Sequence, residues 1–305
     1  PPGALAESRA EYYGKNVTNM IELGLMDSVV KDTFVSRRLR GAGLAAERIE
    51  GLTRRPDVTR IRVTETGSRE DKGGTFFLSI ILLTMLYTSL AMWGAAIMNG
   101  VVEEKANRVV EVMVSAMPTT QLFFGKLCGV GAAGLTQFAI WGAFIALISA
   151  FGGAMASTQG FQMPEVSLLV LVFFVIYFFL GYFLYGSLYM AVGAAVNTPQ
   201  EAQSLAFPVM MPLLLGFIFF PVVLGSPDSA LSVTLSLIPF FSPMLMFLRM
   251  TAVTPPAWQI AVSLVLMIVA IAGINWMAAR IYRVGILMYG KRPTFPEIMR
   301  WVSHR

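Results

Sequence analysis

The chain alternates between long apolar runs without charge and short polar segments. A helix needs about 20 residues to cross the roughly 30 Å hydrocarbon core of a bilayer. Five runs satisfy this length, at residues 73–102, 127–164, 166–200, 205–225 and 257–280. The pattern therefore predicts five transmembrane helices.

Prolines interrupt the apolar pattern in two places. Pro208, Pro212 and Pro221 fall within the fourth run and predict a kinked or broken helix there. The segment 229–248 is also apolar, but Pro239 and Pro243 divide it. We predict two short half-helices at 229–248 that enter the membrane and return on the same side, because such a backbone is tolerated where other helices cover it.

Composition separates the first 72 residues from the rest. The chain is 56% hydrophobic and only 13% charged, yet 24 of its 41 charged residues precede residue 73. Residues 1–72 show helical periodicity and an alternating strand pattern at 58–66, which predict a small α+β domain in water. With one Cys and one His the chain lacks the ligands for a disulfide framework or a zinc site, and no catalytic or metal-binding residues are predicted.

The basic residues predict an orientation in the cell membrane, inner or plasma. With residues 281–305 as a basic cytoplasmic tail, the outer short loops hold only Arg249. The inner segments then hold Lys105, Arg108, Lys126, Arg280, Arg283, Lys291, Arg292, Arg300 and Arg305. These basic residues at the inner membrane edge account for the net positive charge of the chain, so nucleic-acid binding is not needed to explain it. The same orientation places residues 1–72 outside. We therefore expect a sixth span and the earlier half of the external domain to precede this sequence.

Residues 103–126 form the polar segment between the first two spans. Placed on one helix, its apolar stripe consists of Val109, Val110, Met113, Ala116 and Met117. The opposite face consists of Glu104, Arg108, Glu111 and Ser115, with spacings that allow Arg108 to pair with either glutamate. Two interpretations remain open, an inert helix at the membrane interface or a docking helix for a cytoplasmic partner.

Two stretches resemble a known family. MNGVVEEKANRVVEVMVSAMPTTQLFFGKLCGVGAAGLTQF at 98–138 resembles the signature region of type-2 ABC transporter permeases, in the branch of NatB-like sodium-export permeases. YRVGILMYGKRPTFPEIMRW at 282–301 resembles the end of the same branch. The resemblance implies an all-α polytopic membrane protein with the type-2 ABC exporter permease fold. Five of six spans would be visible at 73–280, with a partial external α+β domain and a re-entrant hairpin before the last span.

The resemblance also implies a permease homodimer or heterodimer in membrane lipid, seated on cytoplasmic ATP-binding cassette subunits. The chain has no GxxxxGK[ST] motif, so we expect ATP and Mg²⁺ on the partner, no cofactor on this chain and no enzymatic activity of its own. By position, the role of partner coupling falls on Glu103, Glu104, Lys105, Arg108, Glu111, Gly125 and Lys126. Sodium as substrate follows only from the resemblance, and a drug, peptide or lipid-like molecule stays open.

Polar and aromatic residues in the spans give weaker candidates. The candidate substrate path consists of Thr136, Gln137, Tyr182, Tyr189, Asn197 and Gln203, each of which is alternatively an interhelical hydrogen bond. The candidate outer gate consists of Phe240, Phe241 and Phe247, which alternatively pack against lipid and the last span. Two other function classes compete with an exporter, namely a secondary transporter or channel without an ATPase, and a membrane-anchored sensor.

Overall fold

A computed structural model describes residues 61–64, 67–70, 74–159, 168–253, 255–288 and 296–297. The chain divides into two compact units, residues 1–72 and residues 73–305. In the first unit, strands β1 (Ile61–Thr64) and β2 (Gly67–Glu70) form an antiparallel hairpin with Ile61 opposite Glu70. Strand β1 lies within the predicted strand, whereas the helices predicted for the external domain lie outside the described residues.

The second unit is helical throughout its described elements. The helices are α1 (Gly74–Ala106), α2 (Val109–Ala116), α3 (Thr119–Gln159), α4 (Leu168–Ala195), α5 (Pro199–Ile218), α6 (Phe220–Gly225), α7 (Ala230–Leu237), α8 (Ser242–Ala252) and α9 (Ala257–Gly285). Five segments are long and apolar enough to cross a membrane: Leu78–Ala106, Thr119–Phe144, Leu168–Ala195, Pro199–Gly225 and Ala257–Gly285. The five predicted spans are thus confirmed by length and composition.

Helix α4 lies at the centre of this unit and packs against both α1 and α9. Its buried side chains include Tyr177, Phe178 and Tyr185, so one helix supplies much of the aromatic core. Tyr177 and Ser263 share a hydrogen bond of 2.6 Å between their hydroxyls, which joins α4 to α9. Membrane helices gain little from hydrophobic burial against one another, so such close packing and hydrogen bonds hold them together.

Glycines permit the closest helix contacts. A Cβ on Gly193 of α4 would lie 2.7 Å from the carbonyl oxygen of Met98 on α1. A Cβ on Gly285 of α9 would lie 2.8 Å from the carbonyl oxygen of Ala194 on α4. Both distances are shorter than real Cβ contacts, so only glycine allows these backbones to approach so closely.

The three prolines of the fourth span differ in their effect on the helix. Helix α5 runs through Pro208 and Pro212 and ends at Ile218, and α6 begins just before Pro221. The interruption therefore lies at Phe219, and the first two prolines do not end the helix. At the start of α5, the Thr198 side chain accepts a hydrogen bond of 3.3 Å from the Glu201 backbone N–H and caps the helix.

The predicted hairpin consists of two short helices, α7 and α8, which contact each other and are joined by the turn at 238–241. The second helix continues to Ala252, four residues past the predicted end at 248. Ser229 caps the start of α7, because its side chain accepts a hydrogen bond of 3.2 Å from the Ser232 backbone N–H. The position of this hairpin in the membrane stays a prediction.

Candidate coupling site at the end of the first span

The segment after the first span is not one continuous helix. Helix α1 extends to Ala106, and α2 begins at Val109 after a break. At the break, Arg108 adopts a left-handed conformation with φ 56°, the one non-glycine residue with positive φ among those described. Such a conformation costs an L-residue roughly 1–2 kcal/mol, so the surrounding structure must stabilise it.

This break changes the pairing expected along a single helix. Glu104 and Arg108 are no longer one helical turn apart, and the Glu104 carboxylate instead pairs with the Lys126 ammonium of α3. The pair is partly exposed, with 30% of the Glu104 side chain and 12% of the Lys126 side chain accessible. Neither expected Arg108 pair is present among the described ion pairs.

The orientation of α2 also differs from the predicted stripe. Val110 is fully buried and Met113 packs against the core, but Val109 and Met117 are exposed. Val114, which is outside the predicted stripe, also packs against the core, so the core-facing positions of α2 are Val110, Met113 and Val114. We call Glu103, Asn107, Arg108, Glu111 and Val112 the connector surface; all five are exposed, Val112 to 71%.

Lys105 occupies a different environment from the one expected of a partner-contacting residue. Its side chain is only 2% exposed. The Nζ atom donates hydrogen bonds to the carbonyl oxygens of Ala194 at 2.8 Å and Gly285 at 2.7 Å. The structure therefore removes Lys105 from any directly contacted surface, because its ammonium points inward to the ends of α4 and α9. Gly125 is exposed on α3, and a Cβ there would meet nothing within 4 Å.

The polar path candidates are not brought together into one site. Gln137 accepts a hydrogen bond of 2.7 Å from the Trp93 indole, and the Tyr182 hydroxyl donates to the Leu127 carbonyl at 2.9 Å. The Thr136 hydroxyl donates to its own helix at Ala132, and Gln203 is exposed. For Gln137 and Tyr182 the structure matches the interhelical alternative.

The remaining two path candidates have separate surroundings. Tyr189 is buried against Gly94 of α1, and the Asn197 backbone N–H donates to the Glu201 carboxylate at 3.2 Å. An apolar groove of about 400 Å³ runs between α4 and α9, and none of the six candidates lines it. The described residues also hold no cluster of three His, Cys, Asp or Glu side chains suited to a metal ion.

The three gate candidates lie in the hairpin, and two of them contact α4. Phe247 is fully buried, with its ring centroid 5.4 Å from that of Phe174. Phe240 is half-buried, and its carbonyl accepts a hydrogen bond of 2.5 Å from the Tyr185 hydroxyl. Phe241 is likewise half-buried. The hairpin therefore packs on α4 through both aromatic rings and backbone.

Arg249 is a buried charge that the sequence pattern did not single out as a site. Its side chain is 1% exposed, and its Nε donates to the Pro227 carbonyl at 2.7 Å. One Nη donates to the Ser236 hydroxyl at 3.0 Å, and the other lies 3.6 Å from the Asp228 carboxylate. Burial lowers the pKa of the Arg249 guanidinium, and the charge of Asp228 opposes that shift. These contacts tie α8 to the loop before α7.

Residues 18–280 match the sequence family described as ABC-2 family transporter protein. The chain belongs to the ABC-2 transporter family. Together with five apolar helices, this membership makes it a multi-pass membrane protein. The match covers all the described helices from α1 to α8 and most of α9, including the connector surface.

Two curated relatives were found by sequence. YhaP of Bacillus subtilis is 34% identical over 235 residues, covering 76% of this chain and 56% of that protein. MJ1024 of Methanocaldococcus jannaschii is 26% identical over 239 residues, covering 78% of this chain and 57% of that protein. The chain thus spans about half the length of these relatives, and their names specify no substrate. No solved structure matches this ABC-2 chain significantly.

Proposed function

We propose that this chain is the permease subunit of an ATP-driven exporter, and that the connector surface receives the conformational change of a separate ATP-binding cassette subunit. The observation that carries this proposal is the left-handed break at Arg108. It holds a short exposed helix against the end of the first span. Strain concentrated in a short exposed segment is a feature of functional sites.

The contacts around the break support transmission to the spans. Helix α2 is anchored by the buried Val110, while Glu111 and Val112 remain available on its other side. The Glu104–Lys126 pair joins the ends of α1 and α3. A force on the connector surface would therefore act on two spans at once. In this arrangement the connector surface and residues 281–305 are cytoplasmic, and residues 1–72 are outside.

The hairpin of α7 and α8 closes the outer end of the path in this proposal. Its packing on Phe174 and Tyr185 gives it a defined closed position against α4. The permease acts as a dimer, homomeric or heteromeric, in the inner or plasma membrane. The substrate classes remain a sodium ion or an amphipathic drug, peptide or lipid; no particular observation favours a channel or an anchored sensor.

Co-purification tests the proposal directly. The affinity-tagged protein, extracted from its native membrane in mild detergent, is expected to retain a soluble ATP-binding protein. Arg108→Glu should reduce that retention, whereas Arg283→Glu, an exposed arginine in the last turn of α9, should not. Unchanged retention of the ATP-binding protein by Arg108→Glu, or an equal loss of retention in both variants, would contradict docking on the connector surface.

A further inference from the structure

Three helix ends meet at the ammonium group of Lys105. Lys105 is the second-last residue of α1, Ala194 is the second-last residue of α4, and Gly285 is the last residue of α9. The ammonium donates to the carbonyl oxygens of Ala194 and Gly285 while its side chain is almost fully buried. The two acceptors are 89 and 180 residues distant in the sequence, so the contact is purely tertiary.

The chemistry of helix ends explains why a lysine suits this position. The last four carbonyls of a helix have no intrahelical partner, and the helix dipole places partial negative charge there. An ammonium has three donors and a compact positive charge, so it can serve two helix ends at once. A methionine would fill a similar volume but would donate no hydrogen bond to either carbonyl.

Neighbouring residues at the end of α1 connect to different helices. Lys105 points inward to α4 and α9, whereas Glu104 pairs with Lys126 on α3 at the partly exposed surface. The close approach of Gly285 to Ala194 brings the two acceptors to the same ammonium. The end of α1 is thus fixed to α4 and α9 by buried bonds and to α3 by a more accessible pair.

We propose that Lys105 is a positioning residue that makes the ends of α1, α4 and α9 move as one body, so that displacement of the connector surface reaches all three helices. This inference rests on the proposed function for its role in coupling, but the joint itself exists without a partner. The bonds of the ammonium to both carbonyls, and not the charge of the exposed surface, carry the movement.

Distance measurements on the purified protein test the joint without any partner. Spin labels replace three exposed residues, Asn107, Gln200 and Leu287, in a Cys128→Ser background. Asn107 and Leu287 lie one and two residues after the ends of α1 and α9, and Gln200 lies in the first turn of α5, five residues after the end of α4. In the labelled protein that retains Lys105, the distances from the label at 287 to the other two labels should have narrow distributions. They should broaden with Lys105→Met but not with the control Glu104→Gln. Equally narrow distributions in Lys105→Met would overturn the proposal.

A second variant leaves the ammonium in place. Gly285→Ala puts a methyl group 2.8 Å from the Ala194 carbonyl oxygen and should lengthen the Gln200–Leu287 distance. This variant keeps the test decisive if Lys105→Met does not fold. An unchanged distance in Gly285→Ala would contradict the close joint between α4 and α9.

Coupling is then measured in the complex with the ATP-binding partner. Lys105→Met and Gly285→Ala should each lower transport-linked stimulation of the ATPase at least about fivefold, the lower range of typical allosteric coupling. The partner should stay bound, because neither change alters the connector surface. Full stimulation with broadened distances would overturn the coupling role. Absence of stimulation in the unsubstituted protein would instead refute the proposed function. The distance distributions would still test whether Lys105 holds the ends of the three helices together.

Discussion

The contact between Gly193 and Met98 offers a sharp test of how α1 and α4 pack. Gly193→Ala would place a Cβ 2.7 Å from the Met98 carbonyl oxygen and 3.3 Å from its Cα. Ordinary van der Waals contact begins near 3.4 Å, and both obstructing atoms belong to backbone, so the helices must separate. Steric overlap of this kind costs about 1–3 kcal/mol, and the better helix propensity of alanine offsets up to about 1 kcal/mol.

We therefore expect Gly193→Ala to lower the free energy of unfolding by up to about 2 kcal/mol. Gly273→Ala is the matched control, because a Cβ on this exposed glycine of α9 would meet nothing within 4 Å. Both variants are unfolded in mixed micelles by increasing the fraction of denaturing detergent, with helix content as the signal. Equal midpoints for Gly193→Ala and Gly273→Ala would refute the close approach of α1 and α4.

Three further predictions concern the break, the buried arginine and the hairpin. Arg108→Gly should raise the free energy of unfolding by about 0.5–1 kcal/mol, because glycine accepts φ 56° freely. Arg108→Glu should change the free energy of unfolding little but should reduce stimulation of the partner ATPase. Thermal unfolding measures the first effect and an ATPase assay measures the second. Arg249→Met should lower the free energy of unfolding by about 1–3 kcal/mol, because it leaves the Pro227 carbonyl and the Ser236 hydroxyl without their hydrogen-bond donor. Asp228→Asn should lower it by less than about 1 kcal/mol. A larger loss of stability in Asp228→Asn than in Arg249→Met would contradict this prediction. In a Cys128→Ser background, Leu231→Cys should react with an impermeant thiol reagent added outside, and the buried Ser242→Cys should react only when nucleotide traps the partner. A labelling rate of Ser242→Cys that does not change with nucleotide would contradict the role of the hairpin as a gate.

The spans could be predicted because their signal is local. An uncharged run of about 20 residues is sufficient to mark a membrane helix, and the prolines at 239 and 243 marked the turn of the hairpin. The break before α2 could not be predicted in this way. Arginine is a good helix former, so nothing at Arg108 indicates a left-handed conformation. The fully buried Val110 follows two residues later, and its packing is a tertiary contact that the local sequence does not show.

The role of Lys105 was also beyond the sequence pattern. A lysine in a run of charges is normally solvated, and its two acceptors are backbone carbonyls that carry no side-chain signal. The glycines at 193 and 285 contained a partial clue, since small residues mark close helix contacts in membranes. Only the folded arrangement shows which helix ends those contacts bring together.

Photo-crosslinking can detect directly whether the connector surface docks an ATP-binding partner. A photoreactive amino acid replaces Val112, which is 71% exposed on α2, or the control Ile140, which is 51% exposed within the second span. Both proteins are expressed in their native membrane and irradiated. We predict a crosslink from position 112 to a soluble ATP-binding protein and none from position 140. A crosslink from position 140 alone, or none from position 112 in a protein that still exports substrate, would contradict docking on the connector surface.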